Sequence, residues 1–229
     1  MSNKNNNLVE ELFQAGAHIG HKTNRVHPKA KKYIYTIQNG VSIIDLVKTA
    51  ELLEKAKQFA KDLGQEKKKL LVVVTKRLNS VYTQELCQKY GIPHITMKWP
   101  AGLLTNFEMI SKNVKKLKQM REDKDKGEWN KFVKHEQTNL NKLLVRLNKF
   151  YGGLENLEKL PDALFVIDIR KEKNAVEESR EFNIPVIAVV DTNVNPDIIQ
   201  YPIPANDDSI TSIQFFMNQI IETYATALK

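Results

Sequence analysis

Cysteine is all but missing. Cys87 stands alone, so the chain can form neither an internal disulfide nor a thiolate metal cluster. Glycine is sparse too, nine in 229 residues, and neither G-x-G-x-x-G nor G-x-x-x-x-G-K-[ST] occurs. Those signatures let backbone N–H groups approach a pyrophosphate, so the usual nucleotide cradles are excluded. No apolar run approaches the roughly 20 residues of a membrane-spanning helix. The opening MSNKNNNLVEELF lacks the apolar core and cleavage site of a secretory signal, and Glu10 and Glu11 speak against a transit peptide. The chain reads as cytoplasmic, with no membrane partner.

Positive charge is in excess, and unevenly placed. The net charge is +8, with a pI near 9.3. Residues 1–33 hold six Lys/Arg against two Asp/Glu, and residues 107–150 hold twelve against six. Residues 151–229 reverse the sign, with six against thirteen. A single Lys-rich helix face is most simply solvated, but two separate basic excesses opposite an acidic segment point to oriented contact with a polyanion.

The apolar pattern predicts an α/β fold. Leu8, Val9, Leu12 and Phe13 have helical spacing and stop at Gly16 or Gly20. A basic loop, HKTNRVHPKAKKYIY, leads into a short strand near residues 34–36; Asn39-Gly40 is a hairpin turn, and VSIIDL returns. TAELLEKAKQFAKDLG is an amphipathic helix with Gly64 as its left-handed cap. KLLVVVT, LFVID and IPVIAVVD are continuous apolar runs, as in parallel strands covered on both faces. HITMK adds another strand, and helices fall near residues 80–90, in EKNAVEESREF and near residues 208–225. Between HITMK and LFVID the rhythm breaks. Two Lys-rich segments carry Phe107, Ile110, Val114, Leu117 and Met120, then Phe132, Val133, Leu140, Leu143, Leu144, Leu147 and Phe150, with a turn at Gly127. They predict an antiparallel coiled-coil-like hairpin over 107–150, inserted into a sheet domain of 1–106 and 151–229.

Three chemistries compete. FVIDIRKE and VIAVVDTN end in Asp168 and Asp191, and ligands of open α/β sheets bind at strand carboxyl ends. A nucleotide- or sugar-phosphate-using enzyme is therefore one reading, although strand-end acids also cap helices and brace loops, and the loop KRLNS after LLVVVT has no glycine. A zinc or magnesium site among His18, Asp191, Asp207 and Asp208 is another, with His21 three residues beyond His18; against it, Asp207 and Asp208 serve equally as acids opening the last helix. RNA has the richest material. Lys22, Arg25, His27, Lys29, Lys31 and Lys32 interleave with Tyr33 and Tyr35, while Trp99, Thr105 and Asn106 lie in a polar connector and Arg170 and Lys171 at a strand end. Cations for phosphates and rings for splayed bases are what single-stranded RNA requires. A protein–protein adaptor acting through the hairpin is a further alternative.

PDALFVIDIRKEKNAVEESREFNIP resembles, in full, a signature of the small-ribosomal-subunit protein two family, and LFQAGAHIGHKTNRVHPKAKKYIY resembles its N-terminal signature. NGVSIIDLVKT, LTNF and DTNVNPDIIQYPIPANDDSI are similar to further family blocks. Two glycines of the family pattern are replaced, within Trp99-Pro100-Ala101-Gly102 and Val74-Thr75-Lys76. The resemblance implies a flavodoxin-like sheet with a projecting hairpin. It implies a structural constituent of the small subunit that binds ribosomal RNA, requires no cofactor, and sits among other small-subunit proteins. In bacterial members these include the large multi-domain protein that captures messenger RNA. In that setting Asp168 braces its loop, Glu172 opens the next helix, and Arg170 and Lys171 reach phosphate.

Overall fold

A computed structural model describes residues 2–228. Helix α1 (Ser2–Gln14) leads into a three-stranded antiparallel sheet of β1 (Ile19–Lys22), β2 (Ile34–Gln38) and β3 (Val41–Ile44), ordered β1-β3-β2. Asn39 and Gly40, both at positive φ, form the two-residue turn between β2 and β3. Strand β1 departs from the sequence expectation, which placed a basic loop there. Its four residues carry two polar side chains, and it forms by pairing with β3.

The chain continues through α2 (Leu46–Gln65), β4 (Leu70–Val73), α3 (Ser80–Tyr90), β5 (His94–Ile95), α4 (Phe107–Asp125) and α5 (Lys134–Tyr151). It finishes with β6 (Ala163–Ile167), α6 (Lys173–Glu181), β7 (Val186–Val190), β8 (Tyr201–Pro204) and α7 (Ile210–Ala227). Strands β4 to β8 form a second sheet ordered β5-β4-β6-β7-β8, and every pairing in it is parallel. Numbered among themselves these strands run 2-1-3-4-5, the flavodoxin-like order. Pro202 and Pro204 hid β8 from the sequence pattern; they are tolerated because β8 is an edge strand.

Helices cover both faces, so successive strand residues feed different cores. Leu70, Val72, Phe165, Ile167, Ile187 and Val189 pack with residues of α2 and α7, including Leu53, Ala60, Phe216 and Ile220. Leu71, Val73, Leu164, Val166, Val186 and Ala188 pack with Trp99, Ile110 and Val176. Gly64 does not cap α2. It lies inside the helix, where an added Cβ would stand 2.6 Å from the Tyr224 carbonyl oxygen and 2.7 Å from Ala227 Cβ. Its missing side chain lets α2 and α7 touch, and Lys67, at φ 54°, lies just beyond the helix end.

Helices α4 and α5 form the hairpin, joined by a turn containing Gly127 at φ 74°. Leu117, Met120, Trp129 and Leu147 make its own small core, whereas Ile110 and Val114 belong to the core of the sheet. Phe132 and Val133 were expected on the second helix, but they precede it and are exposed.

Candidate nucleic-acid interface

The carboxyl ends of the parallel strands converge on a charged cluster. Lys76, three residues past β4, places Nζ 2.9 Å from Asp207, 2.7 Å from Asp208 and 3.3 Å from Asp168. From β1, His21 meets Asp191 at 3.0 Å through Nδ1, and its Nε2 lies 3.7 Å from Asp208. Burial works against the Lys76 charge, but Asp207, Asp208 and Asp168 outweigh it and hold the ammonium above the ordinary lysine range. Asp207 is pushed up to about 7 by burial, with Asp168 and Asp191 adding repulsion that Lys76 only partly offsets. The hydrogen bond to Asp191 raises His21 against its own desolvation. Four carboxylates thus face one ammonium and one imidazole, and the surplus is relieved by a proton at Asp207 or by an added cation.

The crevice where a doubly wound sheet would take a nucleotide is closed. The switch point lies between β4 and β6. There Lys171 Nζ donates to the Thr75 carbonyl at 2.7 Å, Thr75 donates to the buried Glu172, and Lys76 bridges to Asp168. Over β7 sits the antiparallel sheet. The His21 N–H donates to Thr192 Oγ1 at 2.9 Å, and the His27 N–H to the Thr192 carbonyl at 2.8 Å. Gly20 fits so closely that a Cβ would stand 2.8 Å from Thr192 Cγ2 and 3.0 Å from the Ser42 carbonyl oxygen. Between Ala30, Tyr33, Ile44 and the ends of β7 and β8, about 10 Å³ remains, room for a single water at most.

Asp168 braces its loop, accepting the Lys171 N–H at 3.0 Å from a backbone at φ 66°. Glu172 stands at the N-cap position of α6, but its carboxylate binds Thr75 rather than capping. Asp168 and Glu172 are therefore structural partners.

The predicted RNA-binding residues separate into groups. The basic segment is folded rather than loose, in two 3-10 turns, Thr23–Arg25 and Pro28–Tyr33. His27 caps the second turn, accepting the Lys29 N–H at 3.2 Å. Lys29 and Lys32 lie 3.3 and 2.6 Å from Asp197, which raises Lys32 and is itself lowered. Lys22, Arg25, Lys31 and Arg170 are exposed and have no carboxylate partner among the described residues. Thr105 and Asn106 are exposed on the connector before α4. Trp99 departs from expectation: it is 3% exposed and its indole N–H donates to Glu178 at 2.9 Å, so no ring face is offered to a base. Glu178 also accepts the N–H groups of Gly102 and Leu104 at 2.9 Å each, setting the shape of that connector.

The expected metal set changes membership. His18 stacks on Phe13 with centroids 4.4 Å apart, and its Nδ1 is buried without a partner. The ligand atoms that approach within 4.8 Å of one another belong to His21, Asp191 and Asp208, while Asp207 turns to Lys76. His18 lies in the turn before β1 and His21 within the strand, so the two histidines do not share the site.

Comparison with known proteins agrees with this architecture. A family model described as "Ribosomal protein S2" matches residues 12–227. The chain belongs to the ribosomal protein S2 family. A relative from Coprothermobacter proteolyticus, "Small ribosomal subunit protein uS2", is 40% identical over 214 residues, covering 93% of this chain and 80% of that protein. As a member of the family, the chain is a structural component of the small ribosomal subunit that supports translation, not an enzyme. Among its described residues no helix is long and apolar enough to cross a membrane.

Proposed function

We propose that the chain grips small-subunit ribosomal RNA with the face that covers the strand ends, using Lys22, Arg25, Lys31 and Arg170 on phosphates, with Thr105 and Asn106 on the neighbouring connector. One observation carries this reading: these four cations are exposed and have no carboxylate partner among the described residues, whereas Lys29, Lys32 and Lys76 are held by carboxylates. A charge already matched by its own protein releases fewer counterions on binding RNA and adds less to affinity. Sedimentation of a lysate containing the tagged chain tests the reading. It should travel with the small subunit at low salt and be partly released at high salt; a chain found only at the top of the gradient refutes it.

The hairpin over 107–150 acts as a projecting module that touches neighbouring small-subunit proteins. Exposed Phe132, Val133 and Val145 support this, since they stand outside the hairpin's own small core and leave apolar surface for a partner. The large messenger-capturing protein of bacterial subunits is one such neighbour. No cofactor is required; a divalent cation at His21, Asp191 and Asp208 would serve only to neutralise the acidic surplus described above.

A further inference from the structure

Arg25 ends the first 3-10 turn after β1, Arg170 lies three residues past β6, and Asn193 three residues past β7. Far apart in the chain, they line one open cleft of about 450 Å³. Neither guanidinium meets a carboxylate among the described residues. With the His21 proton on Nδ1 facing Asp191, its Nε2 accepts from Asn193 Nδ2 at 3.0 Å, which anchors the amide beside the arginines and leaves Asn193 Oδ1 buried with no donor. Two guanidinium groups on one cleft can be bridged by one anion, and a buried acceptor without a partner is costly. A guanidinium N–H turned onto Asn193 Oδ1 satisfies that acceptor.

We propose that Arg25 and Arg170 jointly seat a single phosphate group of the RNA backbone, with Asn193 as a positioning residue that orients one guanidinium. The inference rests on the RNA reading above and gives it a specific contact. Arginine suits the task because its planar fork binds two oxygens of one phosphate. An RNA strand is favoured over an acidic side chain because unpaired Lys22 and Lys31 lie on the same folded segment, so the cations continue beyond the cleft as a track for repeating charge.

The test is a salt titration of the full-length chain binding purified small-subunit ribosomal RNA, comparing wild type with Arg25→Gln, Arg170→Gln, the double variant, the double Lys variant and Asn193→Ala. Each single Gln variant should weaken binding by about tenfold, and the double variant by less than the product of the two. The slope of log affinity against log salt should fall by about 1 in the double Gln variant. The double Lys variant should keep that slope yet bind more weakly, and Asn193→Ala should weaken binding at unchanged slope. A fall of about 2 with additive losses means two separate phosphates and overturns the shared seat; so does an unchanged slope. RNA binding unaffected, with incorporation into reconstituted subunits lost, assigns the cleft to an acidic protein and also overturns it. If wild type itself does not bind the RNA, the wider reading fails instead. Both arginines are exposed, so unfolding midpoints should match wild type in every arginine variant.

Discussion

Lys76 is the positive charge at the strand ends. Three carboxylates within 3.3 Å depend on it. Lys76→Gln should therefore cost about 3 kcal/mol at pH 8, because buried carboxylates lose their counter-charge. At pH 5 the loss should be smaller, since Asp207, raised to about 7, is then neutral. Urea unfolding at the two pH values measures the difference; equal losses would show that Asp207 is not the proton acceptor. Asp207 also sets a trend in the wild type. Its folded pKa lies above its unfolded value of 3.8, so between about pH 4 and 7 the folded chain holds a proton that the unfolded chain has released. Stability from this group is full below that window and falls as pH rises through it, by at most about 1.4 kcal/mol per pH unit. Raised His21 acts in the same direction around and above pH 6.5. Unfolding free energy from pH 5 to 8, measured in chelator, should fall less steeply in Asp207→Asn than in wild type.

Contact between elements depends on what is absent as much as on what is present. Gly64→Ala gains about 1 kcal/mol of helix propensity. It nevertheless drives a methyl group into the α7 backbone and should destabilise the chain by about 2 kcal/mol net, read from the urea midpoint. The hairpin is the opposite case, a thin element with a core of its own. Leu117→Ala should cost about 3 kcal/mol locally and speed amide exchange in α4 beyond Leu117 and in α5, leaving the parallel sheet protected. The buried strands and the hairpin were legible in the sequence because long apolar runs and three-four spacing are strong local signals. Strand β1, strand β8 and the packing role of Gly64 were not: each is decided by a neighbour distant in the chain, Ile43, Val189 and Tyr224. The site divides the same way. Which residues are cationic was readable, but which of them Asp197 neutralises was not, and the burial of Trp99 depends on Glu178, contributed by α6.

For the whole molecule, charge separation is the functional property. The acidic C-terminal third supplies Asp197, Asp207 and Asp208, which hold selected lysines of the basic N-terminal half and leave the others outward. Replacing Lys31 by Ala should lower the affinity for small-subunit RNA and flatten its salt dependence more than Lys29→Ala or Lys32→Ala, measured in the same titration. The antiparallel sheet seated over β7 ties this property to time. Its anchor, His21 on Thr192, spans 171 residues, and such distant contacts close late in folding. A nascent chain that has not yet made β7 carries the basic segment but has nothing to dock it on, and its Lys29 and Lys32 have no Asp197. Only a chain synthesised past that point presents the cations in their final pattern, so the fold itself withholds a finished RNA surface from incomplete copies.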